Sequence, residues 1–77
     1  MAAIPITAIK IGKNHKLDKD RVLALAKRIK EAGAIMEPVL VHEIDENIYC
    51  LIDGFYRFEA AKLLGHQYIP GIIAEDL

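Results

Sequence analysis

A cation lies in the first turn of a predicted helix, three residues after a glycine. The segment IDGFYRFEAAKLLG, residues 52–65, places Gly54 and Arg57 there, directly after a strand-like run that ends in Asp53. A helix N-terminus disfavours a cation but binds phosphate through its backbone N–H groups. Glycine lets an anion approach closely, and arginine supplies a forked, charged donor. The spacing therefore predicts a phosphate site at residues 54–57, although an ordinary strand–helix corner with Asp53 as N-cap has the same pattern.

Other reactive side chains show no catalytic or metal-binding spacing. Cys50 lies within a predicted strand, where a cysteine usually serves as a small apolar residue. His15, His42 and His66 lie in a loop, a strand end and a turn, without the spacing of a metal site. With one cysteine no internal disulfide forms. We expect neither a nucleophile–histidine pair nor a metal site built from these residues.

Hydrophobic periodicity predicts one α+β domain over residues 1–77, in the order β-α-β-β-α-β, with a mixed sheet and two helices. Strands are predicted over residues 4–12, 37–44, 47–53 and 68–77, the second and third as a hairpin and the last at a sheet edge. The first helix begins at Asp18 or Asp20 and ends at Gly33. The second runs from Phe55 to Leu64, buries a stripe that includes Phe58, and ends at Gly65.

Composition indicates a protein with a genuine core and uneven charge. The chain is 53% hydrophobic, its N-terminus lacks signal-peptide features, and its apolar runs fall short of a membrane span, so we expect a cytoplasmic protein. Residues 1–30 hold eight Lys or Arg and two acids, whereas residues 31–77 hold two and nine. A basic first half attracts polyanions such as DNA, unless the two halves interleave in space and their charges cancel.

Three segments together resemble the ParB/sulfiredoxin superfamily, the ParB-like nuclease or ParB N-terminal domain. They are IPITAIKIG, LDKDRVLALAKRIKEAGAIMEPVLV and YCLIDGFYRFEAAKLLGHQYIPGII, and they cover nearly the whole chain. The last is the most specific, since it combines Gly-x-x-Arg, a helix containing Ala-Ala, a closing glycine and an Ile-Pro strand. The helix ending in Gly33, followed by Pro-Val-Leu-Val, is a second match in the right order.

The resemblance implies a bound nucleotide, either CTP, as in ParB proteins, or ATP, as in sulfiredoxins, with Mg²⁺. It places the phosphates at the 54–57 turn and the loop before the first helix. It places the base and sugar against the segment after that helix, residues 33–38. Asp53 would cap the turn or hold Mg²⁺. The implied phosphate-binding residues are Gly54, Phe55, Tyr56, Arg57, Lys16 and His15, and the implied base and sugar wall is Gly33, Ala34, Ile35 and Pro38.

The chain departs from the family pattern at the turn itself. ParB proteins commonly read Gly-Glu-Arg-Arg and sulfiredoxins Gly-Cys-His-Arg where this chain has Gly54-Phe55-Tyr56-Arg57. The family's hydrolytic acid and its catalytic cysteine are therefore both replaced by Phe55, so sulfiredoxin chemistry is not expected. ParB proteins read DNA through a helix-turn-helix that follows this domain. Because the sequence ends at Leu77, we expect any DNA contact to be non-specific and mainly electrostatic.

Three functions remain open at this point. The first is a nucleotide-binding module that acts on or near DNA, in partition or transcriptional regulation. The second is an enzyme, a nuclease or phosphotransferase, with Asp53, Glu59 and Glu37 as the candidate acids. The third is a protein-interaction domain that has lost the nucleotide site, as a homodimer or with another protein.

Overall fold

The computed structural model describes residues 1–12, 16–35 and 37–75 of the chain. It confirms a small α+β domain with a mixed sheet and two helices. The strands are β1 (Ala2–Pro5), β2 (Ile9–Lys10), β3 (Val39–Asp45), β4 (Ile48–Asp53) and β5 (Tyr68–Ala74), and the helices are α1 (Lys19–Ala32) and α2 (Phe55–Leu63).

The sheet order is β1-β5-β3-β4-β2. β3 and β4 form the predicted antiparallel hairpin, in which Val41 pairs with Leu51 and Leu40 with Asp53. β5 runs parallel to β3 and antiparallel to β1, while β2 runs parallel to β4. The predicted edge position of the last strand is wrong, because β1 covers the outer side of β5. The strand boundary there is Ala74, and residues 76–77 lie outside the described residues.

The single strand predicted over residues 4–12 is also wrong. A 3-10 turn at Ile6–Ala8 divides it into β1 and β2, which lie at opposite edges of the sheet. Ile6 and Ile9 are both buried, and their three-residue spacing matches one 3-10 turn rather than the two-residue period of a strand. The turn therefore keeps both isoleucines in the core while the chain crosses from one edge to the other.

The helices begin and end at residues that the sequence identifies. Asp18 is the N-cap of α1, and its Oδ1 accepts a hydrogen bond from the Asp20 N–H at 2.9 Å. Gly33 ends α1 with φ 82°. After α2, Gly65 has φ 77°, and the N–H groups of Gly65 and His66 donate to the carbonyls of Lys62 and Ala61, which is a Schellman motif.

Helix α2 packs on both the sheet and α1. Phe58 and Ala61 join the sheet cluster, whereas Ala60 joins a second cluster with Ala26 and Ile29 of α1. The stripe predicted from the sequence, Phe58, Ala61 and Leu64, is therefore divided between two neighbours. Phe58 and Ala61 pack on the sheet, whereas Leu64 packs against the second cluster. Small side chains at positions 60 and 61 let α2 lie close to both neighbours. No helix in the described ranges is long and apolar enough to cross a membrane.

Candidate functional site

A cleft of about 740 Å³ opens between α1 and the turn that joins β4 to α2. This volume lies within the range of small-ligand sites in proteins. Its lining is mostly apolar on the α1 side, where Arg28 is the exception, and mostly polar near the turn. The lining residues are Leu17, Leu25, Arg28, Ile29, Ala32, Ala34, Ile35, Glu37, Asp53, Gly54, Phe55, Tyr56 and Arg57.

Most of the predicted site residues meet in this cleft. All four residues of the 54–57 turn line it, together with Asp53 and two residues of the predicted wall, Ala34 and Ile35. Pro38 takes part through its carbonyl, which accepts a hydrogen bond from Arg57. Gly33 lines a separate shallow depression, and Lys16 is exposed and is not among the lining residues of the cleft. His15 lies outside the described residues, so its predicted role stays a prediction.

Gly54 is required by the sheet as well as by the turn. It is buried with φ 95°, and a Cβ atom added to it would lie 2.8 Å from Cγ1 of Val39. The close approach that this glycine permits in the structure is therefore to β3. It brings the start of α2 against the first residue of β3 and so sets the floor of the cleft.

Asp53 is not the N-cap of α2, contrary to one of the two sequence interpretations. The N-cap is Gly54, whose own N–H donates to Oδ1 of Asp53 at 2.8 Å. Asp53 bonds to the residue directly after it and thus stabilises the turn rather than the helix end. The first hydrogen bond within α2 runs from the Phe58 N–H to the Gly54 carbonyl at 2.9 Å.

Two backbone donors at the start of α2 are not used by the fold. The N–H groups of Tyr56 and Arg57 precede the first intrahelical bond, and no acceptor in residues 1–12, 16–35 or 37–75 is bonded to either. Both residues line the cleft. This is the arrangement in which a helix N-terminus binds an anion.

Arg57 is oriented by the chain segment that enters β3. Its Nη1 donates to the Pro38 carbonyl at 2.9 Å and lies 3.2 Å from Oε2 of Glu37. The side chain of Arg57 is 24% exposed, and both described contacts use Nη1. The donors on Nη2 and Nε bond to no acceptor in the part of the chain that the structure describes. The guanidinium is thus held in place with part of its fork still available.

Arg28 is a second cation in the cleft that the sequence interpretation missed. It lies on α1 beside Ile29 and three residues after Leu25, both of which line the cleft. The signal was present in the sequence, because residues 25, 28, 29 and 32 share one helical face. Of the three candidate acids, Asp53 and Glu37 lie in the cleft, whereas Glu59 lines a neighbouring groove and pairs with Lys62 at 3.9 Å.

The described residues contain no group of three or more His, Cys, Asp or Glu side chains suited to a metal ion. Mg²⁺ bound with a nucleotide needs fewer protein ligands, since one or two carboxylates and the phosphates suffice. Asp53 fits that role with Oδ2, because Oδ1 is used by the Gly54 N–H. Cys50 is half-buried in β4 opposite His42 and is not among the residues that line the cleft.

Residues 1–76 match the family model of the ParB N-terminal domain. Among curated relatives, the chain is 39% identical over 56 residues to a nucleoid occlusion protein of Bacillus cytotoxicus, which is 73% of this chain and 19% of that protein. It is 29% identical over 75 residues to a probable chromosome-partitioning protein ParB of Pseudomonas putida, which is 94% of this chain and 26% of that protein. It is 31% identical over 67 residues to an ATP-dependent L-serine kinase of Desulfurococcus mucosus, which is 86% of this chain and 26% of that protein. The match spans about a fifth to a quarter of each relative's length.

Solved structures agree on the fold. Sulfiredoxin from Arabidopsis thaliana superimposes with a TM-score of 0.85 at 26% identity, covering 97% of this chain and 84% of that one. The truncated chromosome-partitioning protein ParB from Caulobacter crescentus, complexed with CTP-γ-S, gives a TM-score of 0.83 at 21% identity, covering 99% and 44%. A free serine kinase in complex with AMP gives a TM-score of 0.83 at 21% identity, covering 96% of this chain and 30% of that one.

Proposed function

Because the chain belongs to the ParB N-terminal domain family, we propose that it is a nucleotide-binding module whose site is the cleft between α1 and the β4–α2 turn. The ligand is CTP or ATP. Its phosphates are bound by residues 54–57, and Lys16 and His15, which precede α1 in the sequence, are the further phosphate-binding residues that the family resemblance implies. The base and sugar lie along Ala34, Ile35 and their neighbours.

The observation that carries this proposal is the setting of Arg57. Its guanidinium is oriented by the Pro38 carbonyl at 2.9 Å, in the same turn as the unused N–H groups of Tyr56 and Arg57. A charged fork beside free backbone donors binds phosphate more strongly than either feature alone. Asp53 bonds to the Gly54 N–H and to none of these donors.

The opposite side of the cleft suits a base. Leu25, Ile29, Ala34 and Ile35 supply apolar surface, and Arg28 lies beside them. Nucleotide sites are commonly apolar with a few placed polar groups, which is the division seen here. The solved neighbours include a ParB complexed with CTP-γ-S and a free serine kinase complexed with AMP, so a cytosine and an adenine nucleotide are both tested.

A role on DNA in chromosome partition or nucleoid occlusion is the second half of the proposal. It is supported by the names of the relatives and by the charge of α1, whose Lys19, Arg21, Lys27, Arg28 and Lys30 outnumber Asp20 and Glu31. These relatives favour chromosome maintenance over transcriptional regulation. Three acidic residues, Glu43, Asp45 and Glu46, lie instead at the C-terminal end of β3 and in the turn that follows it.

Phosphotransfer is the second candidate function, favoured by the serine-kinase relative. The cleft contains two carboxylates, Asp53 and Glu37, that lie near the proposed phosphates. Formation of ADP from ATP and free serine, measured with purified protein, would favour this candidate. Binding of nucleotide without turnover favours the binding module.

An amide NMR titration with CTP and with ATP, each with and without Mg²⁺, tests the proposal. We expect the largest shifts at residues 54–57 and at Ala34 and Ile35, and the nucleotide with the larger shifts identifies the base. A Mg²⁺-dependent shift at Asp53 would assign the metal ligand. Absence of shifts with both nucleotides at millimolar concentration would leave the family fold without its ligand and favour a protein-interaction role.

A further inference from the structure

The guanidinium of Arg57 already has an anionic partner in the folded chain. Its Nη1 lies 3.2 Å from Oε2 of Glu37. Both side chains line the cleft, and Arg57 belongs to the same helical turn as the two unused amides of α2. A carboxylate and a phosphate present the same kind of charged oxygen acceptor to an arginine.

The two partners of Arg57 differ in how firmly they are held. The Pro38 carbonyl is a backbone group directly before β3, and its position is set by the sheet. The Glu37 side chain is 80% exposed, whereas that of Arg57 is 24% exposed. Exposed ion pairs are weak, because water solvates the charges and holding the side chains costs entropy. The carbonyl therefore orients Arg57, and the carboxylate is a replaceable counter-charge.

We infer that Glu37 competes with the nucleotide phosphate for Arg57, and that it thereby limits the affinity of the site for phosphorylated ligands. This inference rests on the proposed nucleotide function. A phosphate that approaches the open Nη2 and Nε donors displaces the Glu37 carboxylate as the counter-charge of the guanidinium, while the Nη1 contact with Pro38 is kept. The carboxylate then remains at the mouth of the cleft and repels ligands in proportion to their phosphate charge.

The inference predicts a gain of affinity when the charge of Glu37 is removed. Glu37→Gln keeps the shape and an oxygen acceptor but loses the competing charge. We expect CTP and ATP to bind about 1.5- to fivefold more tightly, which is the affinity equivalent of one exposed ion pair. Cytidine and adenosine, which have no phosphate, should bind the variant and the wild type equally.

The test is isothermal titration calorimetry of the wild type, Glu37→Gln and Glu46→Gln with these four ligands. Glu46→Gln is the matched control, because it makes the same change in net charge in the β3–β4 turn, at the other end of β4 from Asp53. Glu37→Lys is a second variant and should bind the triphosphates more tightly than Glu37→Gln. Circular dichroism establishes that each variant is folded before titration.

The outcomes separate this inference from the function on which it rests. If the wild type binds a nucleotide and Glu37→Gln binds it no more tightly than Glu46→Gln, the inference is overturned and the proposed function stands. Weaker binding by Glu37→Gln would also overturn it, since Glu37 would then contribute to binding. If none of the four proteins binds CTP or ATP, the proposed function fails and the inference fails with it.

Discussion

The guanidinium carbon of Arg21 lies 4.6 Å from the centre of the Tyr56 ring. The Tyr56 hydroxyl also accepts a hydrogen bond from the backbone N–H of Asp18 at 3.2 Å. Through these two contacts the first turn of α2 is joined to the first turn of α1. The tyrosine that departs from the family pattern is thus used within the fold, to join the two helices.

The contact between Tyr56 and Asp18 gives the first prediction. Tyr56→Phe removes the hydroxyl acceptor and leaves the ring under Arg21, so the cation–π contact persists. We expect the free energy of unfolding to fall by about 0.5–1 kcal/mol, the net value of one partly exposed hydrogen bond. Urea denaturation followed by circular dichroism measures this change.

Tyr68→Phe is the matched control for that variant. Tyr68 lies on β5 with 57% exposure, and its hydroxyl bonds to no acceptor or donor in the described ranges. We expect a change within about 0.3 kcal/mol, as for ordinary surface substitutions. Equal effects at the two tyrosines would show that the hydroxyl of Tyr56 does not join the helices.

The second prediction concerns glycine at the floor of the cleft. Gly54→Ala combines a left-handed backbone, at φ 95°, with a Cβ atom 2.8 Å from Val39 Cγ1. Backbone strain costs about 1–2 kcal/mol, and overpacking adds about 1–3 kcal/mol. We expect a loss of about 2–5 kcal/mol in the free energy of unfolding, measured by urea denaturation.

Gly33→Ala and Gly65→Ala separate the two causes. Both glycines have positive φ, at 82° and 77°, but a Cβ atom there would meet nothing within 4 Å. Each should therefore lose only about 1–2 kcal/mol, the backbone cost alone. A loss at Gly54 no larger than at these positions would contradict the close packing of the turn on β3.

Local features of this fold could be predicted from the sequence, and long-range ones could not. The N-cap at Asp18 and the ends of the helices at Gly33 and Gly65 depend on a few adjacent residues, and they are confirmed. The position of β5 between β1 and β3 depends on which strands pair across the whole chain. No local pattern carries that information, and the prediction of an edge strand failed there.

The same division holds for the candidate site. The turn at residues 54–57 could be singled out because Gly54 and Arg57 are three residues apart, and its binding of phosphate stays a prediction. The contact of Arg57 with Glu37 spans 20 residues, and that of Tyr56 with Asp18 spans 38. The first contact depends on the antiparallel pairing of β3 with β4, and the second depends on the packing of α1 on α2. Sequence reasoning could name Glu37 as a candidate acid but could not show that it faces Arg57.

The third prediction concerns DNA and the basic surface of α1. For three phosphate contacts, non-specific duplex binding should weaken about 40-fold between 50 and 200 mM salt. Replacing Lys27 and Lys30 by Gln should lower the slope of log affinity against log salt by up to about 1.8, since each contact contributes about 0.9. Fluorescence anisotropy with a labelled duplex at several salt concentrations measures both quantities.

Lys62→Gln is the control for the DNA measurement. Lys62 lies on α2 and pairs with Glu59 at 3.9 Å, so we expect it to leave the salt slope unchanged. A slope that falls equally for Lys62→Gln would indicate a general charge effect rather than a contact surface on α1. Binding that is independent of salt would contradict the electrostatic proposal for DNA.

The fourth prediction separates the role of Arg57 in binding from its role in stability. Arg57→Ala removes the cation of the proposed phosphate site, and hydrogen bonds to charged groups are worth about 1.5–3 kcal/mol. We therefore expect CTP or ATP affinity to fall at least about tenfold, measured by calorimetry. The free energy of unfolding should fall by only about 1 kcal/mol, because the Glu37 pair is exposed and one carbonyl bond is lost.

Arg57→Lys keeps the charge but loses the fork, so its affinity should lie between those of Arg57→Ala and the wild type. An Arg57→Ala protein that unfolds while its residual folded fraction binds nucleotide normally would show that Arg57 is a structural residue and that the phosphate lies elsewhere.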